Sequence, residues 1–226
     1  MIGIIDFGMG NLKSVSNAFR LLGFDAFIAA GPEELDKADK IVLPGVGAFE
    51  GAIAELRRRG WAERVSTAAA SGTPLLGICL GMQLLFETGY ENGEHEGLGI
   101  LPGHVDRIPD AALPGDRKLK IPQVGWNLLE MRGHSAILPD SDCAYVYFVH
   151  SYYAVTEPEY VTAVTRYGSE LTAAVERGNV FGVQFHPEKS GDCGLDILRR
   201  FAEANIKRRQ DRGTPPHSLD ADILHV

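Results

Sequence analysis

Four short apolar runs, each followed by a helical pattern, constrain the fold of this chain more than any other feature of its sequence. Ile2–Asp6, Phe24–Ala29, Lys40–Leu43 and Pro74–Ile78 have the length of buried strands and are bounded by turn residues. Leu12–Leu22, ended by Gly23, is a helical pattern after the first run, and Pro32–Lys37 is a short helix after the second. Phe49–Arg59, continued by Trp61–Ser71, follows the third, and Leu80–Thr88, closed by Gly89, follows the fourth. Such β–α alternation predicts an α/β fold, with an open, mostly parallel sheet and helices on both faces.

The second half changes character. Val105–Ile108, Asn127–Glu130, Tyr145–Phe148, Tyr152–Val155, Val161–Tyr167, Leu171–Glu176 and Val180–Phe185 are strand-like with short turns between them. Antiparallel pairing is expected here, as a smaller appended sheet. A last helix is predicted over Leu195–Arg208, with Leu195, Leu198, Phe201 and Ala202 on one side. Residues 209–226 carry Gly213-Thr214-Pro215-Pro216 and no periodicity, so they are expected to form a loosely ordered tail after a single domain of residues 1–208.

Bulk properties remove several function classes. With 22 Lys and Arg against 30 Asp and Glu the formal net charge is −8, and the chain has no basic stripe for a phosphate backbone. The run Arg57-Arg58-Arg59 falls at a helix end, where it complements the helix dipole and is expected to stay solvated. Met1 is followed by Ile2-Gly3-Ile4-Ile5, with neither a basic segment nor a small-residue cleavage site, so no secretory leader is expected. No apolar run approaches the roughly 20 residues that span a bilayer. Cys79, Cys143 and Cys193 are odd in number, widely spaced and free of any C-x-x-C pair, which fits a reducing cytoplasm better than a disulfide framework.

The strongest chemical signal lies where the fourth strand meets its helix, at Gly77-Ile78-Cys79-Leu80-Gly81. A strand that runs into Gly-x-Cys-x-Gly and then a helix has the form of a nucleophile elbow with cysteine in place of serine. Glycines at ±2 relieve crowding at so sharp a turn, and the helix N-terminus favours the thiolate. A small cysteine merely buried at a tight turn would leave the same trace. Cys143 and Cys193 lack this setting.

A thiol nucleophile needs a base, usually held by a third group. His95, His104, His134, His217 and His225 stand in loop-like or tail surroundings. His186 instead ends the strand Val180–Phe185 and is followed by Pro187-Glu188. Strand ends of an open α/β sheet are where sites form, and Pro187 helps to hold Glu188 where it can turn back onto the imidazole. Attack on a carbonyl carbon also requires N–H donors for the oxyanion. The backbone N–H of Leu80 is one candidate. The turn Pro44-Gly45-Val46-Gly47 offers the second, because flanking glycines let its peptide adopt either orientation.

Asp6-Phe7-Gly8-Met9-Gly10-Asn11 invites a dinucleotide reading, but Lys13 stands where the third glycine belongs and the second strand ends Ile28-Ala29-Ala30, without a ribose-binding acid. There is no Walker A segment and no metal-ligand spacing. No cofactor and no metal are expected.

With Gly-x-Cys-x-Gly, the glycine turn and His-Pro-Glu together, the chain resembles the class I (triad-type) glutamine amidotransferases, whose core is flavodoxin-like. Within that family it is most similar to the glutaminase subunits of imidazole glycerol phosphate synthases. The residues that carry the match are Ile5–Leu12, Leu43–Phe49, Gly77–Phe86, Pro122–Asn127, Tyr147–Tyr153 and Gln184–Ser190. The resemblance implies that Cys79 forms a γ-glutamyl thioester, His186 shuttles protons and Glu188 orients His186. Leu80, Val46 and Gly47 would supply the oxyanion site, and Gln83, Gly45, Gly47, Ser151 and Tyr152 would contact the substrate glutamine. The implied partner is the barrel-shaped cyclase subunit, in a heterodimer, with Asn11, Trp126, Tyr147 and Lys189 near the interface. Three alternatives remain open at this point: a sister amidotransferase serving anthranilate or aminodeoxychorismate synthesis, a cysteine peptidase or γ-glutamyl hydrolase acting alone, and a flavodoxin-like binding module without catalysis. The tail has no role that the resemblance supplies, and the loop Ala111–Asp116 is slightly enlarged against the family's pattern.

Overall fold

The computed structural model describes residues 1–113, 117–139 and 144–204 of the 226. Residues 209–226, Cys143, and the ends of the expected last helix and of the loop Ala111–Asp116 lie outside the described residues. The first strands are β1 (Ile2–Ile5), β2 (Ala26–Ala29), β3 (Lys40–Gly45) and β4 (Leu75–Cys79). Four short ones follow in β5 (Thr88–Gly89), β6 (His95–Glu96), β7 (His104–Arg107) and β8 (Ala112–Leu113), the last paired with β9 (Arg117–Lys118). The remainder are β10 (Gln123–Met131), β11 (Ala144–His150), β12 (Tyr152–Val155), β13 (Val161–Tyr167), β14 (Ser169–Arg177) and β15 (Val180–Val183).

Nine of these make one mixed sheet in the order β11-β10-β13-β14-β15-β4-β3-β1-β2. From β15 to β2 every pairing is parallel, and from β11 to β15 every pairing is antiparallel. The open α/β sheet foreseen from the sequence is therefore present. The antiparallel strands mostly extend that sheet instead of standing apart, because β15 returns parallel to β4 and gives β14 an edge to join. A separate four-stranded sheet, β12-β7-β5-β6, is the smaller second layer.

Side-chain alternation sorts the core onto two faces. Ile5, Ile41, Leu43 and Leu75 point to one side, where α2 (Phe49–Arg58) and α3 (Trp61–Ala70) bury Phe49, Leu56, Trp61 and Val65 against them. Ile2, Ile4, Val42, Leu76 and Ile78 point to the other, beneath Phe19 of α1 (Leu12–Leu21) and Ile197, Leu198 and Phe201 of the last helix. Each such apolar side chain contributes about 1.5–3 kcal/mol by leaving water, so both helical layers are held firmly. The Arg57–Arg59 run is not simply solvated: Arg58 and Arg59 pair with Glu55, and Arg57 reaches Glu96 at 3.1 Å.

The helix expected over 80–88 is a correction. α4 covers only Leu80–Gln83 and closes as a tight turn, with Leu85 N–H on Met82 O and Phe86 N–H on Gln83 O. The carbonyls of residues 84–87 instead accept N–H groups of residues 97–101, and Thr88-Gly89 becomes β5. Those long-range bonds outcompete a helical pattern that the apolar spacing alone suggests. The last helix, α5, begins earlier than expected and is described over Gly191–Glu203.

Candidate active site

Cys79 is the last residue of β4 and the first to leave the sheet, with φ 54° and ψ −114°. A side chain rarely tolerates that conformation, and it arises because the strand must hand over to α4 within one residue. Close packing explains the flanking glycines. A methyl at Gly77 would sit 2.7 Å from Met82 Cα, and one at Gly81 would overlap the carbonyl oxygen of Leu43 in the neighbouring strand. The thiol lies in the wall of a cavity of about 310 Å³. It is 6% exposed, with Sγ 3.9 Å from Val149 O and 3.7 Å from Gln184 Nε2.

His186 lines the same cavity. It leaves the sheet just past β15, the parallel neighbour of β4, so strands distant in sequence deliver both residues to one sheet edge. A turn over Pro187–Lys189 carries Glu188 back beneath the ring, and Glu188 Oε1 accepts from His186 Nδ1 at 2.9 Å. Both side chains are enclosed, at 3% and 1% exposure. With Nδ1 protonated toward the carboxylate, Nε2 makes no conventional hydrogen bond and is left for the sulfur. Burial pulls the imidazole pKa down, but Cys79 and Glu188 outweigh it and lift the value to about 9. The turn is stitched to β11 as well: His186 N–H donates to Tyr147 O at 2.9 Å, and Ser190 Oγ links Tyr147 N–H to His186 O.

The other nominated residues are distributed as follows around this pair. Leu80, Val46, Gly47, Gln83, Ser151 and Tyr152 line the cavity, whereas Gly45 sits behind the wall in register with Cys79. The Val46 N–H donates to Met9 O at 3.2 Å, so it is engaged away from the thiol in this conformation. The glycine-rich segment after β1 thus closes on the turn after β3, and Gly47 at φ 105° supplies the bend. Gln83 is buried, with Nε2 donating to Tyr152 O and to Gln184 Oε1, both at 2.9 Å. The Ser151 carbonyl accepts Ile108 N–H, and the Tyr152 carbonyl already accepts twice. What these two residues can still offer an anion is their N–H groups.

Trp126 and Tyr147 face each other across β10 and β11 with ring centroids 6.1 Å apart, and Lys189 Nζ lies 5.9 Å above the Tyr147 ring. Val124 and Val149 pair on the same side, giving an exposed apolar strip beside the cavity mouth with Trp126 at 54% exposure. Asn11 is half-buried at the start of α1.

Two titratable residues of the cavity wall escaped the sequence reading. Glu91 lines the cavity, and its carboxylate accepts Phe49 N–H at 2.7 Å, just past the Pro44–Gly47 turn. His150 is buried between Gln123 and Tyr152 O, and burial together with the neighbouring His186 depresses its pKa to about 4. No local pattern marks either one; His150 merely ends a strand. Among the described residues no group of three or more His, Cys, Asp or Glu is placed to hold a metal ion. No helix among them is long and apolar enough to cross a membrane.

Comparison with known proteins gives a consistent result. The sequence profile of the family "Glutamine amidotransferase class-I" matches residues 3–204. The imidazole glycerol phosphate synthase subunit HisH of Geobacillus sp. (strain WCH70) is 52% identical over 203 residues, covering 89% of this chain and 96% of the relative. The same subunit from Salinibacter ruber is 49% identical over 206 residues, covering 89% and 94%. A crystal structure of a glutamine amidotransferase superposes with a TM-score of 0.68 at 22% identity, over 89% of this chain and 98% of that one, a likeness of fold.

Proposed function

The chain belongs to the class I glutamine amidotransferase family, and from that premise we propose how its residues hydrolyse L-glutamine and release ammonia for a second enzyme. It is the glutaminase subunit of an imidazole glycerol phosphate synthase, acting with a cyclase subunit in histidine biosynthesis. The amidotransferase unit runs over residues 1–208 and works in the cytoplasm.

The observation that carries the account is the enclosed His186–Glu188 pair, with His186 on the wall of the same cavity that the strained Cys79 lines. Cys79 attacks the side-chain amide carbon of glutamine. His186 takes the thiol proton and gives it to the departing nitrogen, and Glu188 holds the ring in the required tautomer and balances the imidazolium. The γ-glutamyl thioester is then cleaved by water that His186 deprotonates. Glu91 suits the substrate ammonium, while the N–H groups of Ser151 and Tyr152 suit its α-carboxylate. Gln83, with its nitrogen spent inside the protein, presents its oxygen.

One oxyanion donor is the Leu80 N–H at the start of α4. The second is the Val46 N–H, which must first leave Met9 O; rotation of the Gly45–Val46 peptide between glycines makes this inexpensive. Docking of the cyclase on the strip formed by Val124, Trp126, Tyr147 and Val149 beside the mouth would drive that rotation, with Asn11 and Lys189 at its margin. Glutamine is then consumed only when an acceptor for ammonia is at hand. Direct transfer matters, because ammonia in neutral water is largely protonated and no longer nucleophilic.

Replacing Cys79 by Ala in the complex should abolish glutamate release and leave ammonia-fed cyclase turnover intact. Persisting glutamine turnover in that variant would remove Cys79 from the mechanism.

A further inference from the structure

One buried side chain next to the sulfur has no part in that mechanism. Gln184 follows β15, is fully enclosed, and stands two residues before His186, its backbone N–H fixed on Ala173 O at 2.8 Å. Its side chain reaches Cys79 Sγ at 3.7 Å, a hydrogen-bond separation for nitrogen and sulfur.

Which end of the amide meets the sulfur is decided from its far side. The Tyr152 carbonyl can only accept, so Gln83 must turn its nitrogen toward it, at 2.9 Å. The second hydrogen on that nitrogen points at Gln184, also at 2.9 Å, and only Oε1 of Gln184 can receive it. With its oxygen committed, Gln184 has its NH₂ group left for Cys79. The backbone carbonyl at the beginning of β12 thereby fixes the polarity of an amide that ends at the nucleophile.

We propose that Gln184 is a further catalytic residue, whose side-chain amide donates to the Cys79 sulfur and stabilises the thiolate. This rests on Cys79 being the nucleophile. A neutral donor in an enclosed site favours the anion over the thiol, because a hydrogen bond to a charged atom is stronger than one to a neutral atom. Unlike His186, the amide never gives up a proton. It therefore serves the sulfur twice: when the thiolate attacks, and when the thioester collapses and the C–S electron pair returns to sulfur.

The test follows the rate at which iodoacetamide alkylates Cys79 in the cyclase complex across pH, read on the Cys79 peptide so that Cys143 and Cys193 do not contribute. In Gln184→Met the midpoint of this curve should rise by about one pH unit, the tenfold change that a charge-assisted hydrogen bond supplies. The kcat for glutamine should fall about tenfold with a smaller change in KM. Gln184→Glu keeps an acceptor for Gln83 but sets a carboxylate against the sulfur, and its midpoint should rise further. Should Gln184→Met fail to fold, Gln83→Leu reads the same point: Gln184 loses its orienting partner, and the midpoint moves the same way by less. An unchanged midpoint in the folded variants overturns the proposal. Glutamine turnover surviving in Cys79→Ala would instead overturn the nucleophile assignment, so the two failures are distinguishable.

Discussion

Replacing Cys79 by glycine and, separately, by alanine compares two variants that both lack the proposed nucleophile and differ in one methyl group at a strained residue. At an ordinary position glycine is the less stable of the two by about 0.5–1 kcal/mol, since it loses more chain entropy on folding. Here φ 54° and ψ −114° are forced by the junction of β4 and α4. A non-glycine residue in so sparsely populated a region costs about 1–3 kcal/mol. Taking about 2 kcal/mol for that strain and subtracting the entropy term leaves glycine ahead by about 1 kcal/mol. For a chain of this size the difference amounts to about 2–4 °C in melting temperature. Thermal and urea unfolding of both variants at one pH, followed by circular dichroism, measures it. If the alanine variant is as stable as the glycine variant or more so, the turn is relaxed and the argument that folding energy is held at the nucleophile is wrong.

Three further outcomes follow from the site. With the cyclase present, glutamine turnover should decline above about pH 9, where His186 loses the proton that the proposed mechanism passes to the leaving nitrogen; a limb near 6.5 in the pH–rate profile would contradict the coupling to Cys79 and Glu188. The folded pKa of His186 is raised, so its contribution to stability is complete below about 6.5 and disappears as pH climbs through about 9. Glu188→Gln keeps the shape of the turn but removes a charge that supports the imidazolium. The alkaline limb should move down and turnover should drop on the order of 10²-fold or more; unchanged kinetics would leave Glu188 a structural residue. His150 has the opposite sign: its folded pKa is lowered to about 4, so its contribution is present above about 6.5 and is lost as pH falls through about 4. His150→Gln should flatten the loss of urea resistance between pH 7 and 4, and an identical acid profile in the variant would refute that assignment.

The geometry of the elbow was legible in the sequence because it is local. A buried strand, glycines at ±2 and an amphipathic start fix the turn at Cys79 whatever surrounds it, and His186-Pro187-Glu188 carries its own geometry in a three-residue turn. The parallel half of the sheet was legible too, since each strand-and-helix pair announces itself by a change of period. Where apolar spacing was ambiguous the reading failed, as at Leu84–Glu87, whose carbonyls bond to a segment ten or more residues away.

Sequence by itself thus determined the type of fold and the candidates for nucleophile, base and orienter, all of them encoded within a few consecutive residues. The tertiary structure alone decided that β10 and β11 extend the main sheet, that Glu91 and His150 join the cavity, and that Val46 N–H rests on Met9 O. It also decided which end of Gln184 meets the sulfur. These features depend on hydrogen-bonding partners far apart in the chain, such as His150 with Gln123 at 27 positions, Val46 with Met9, and Gln83 with Gln184 at 101. A donor's partner at that distance is set by the packing of the strands, and no spacing of residues along the chain records it.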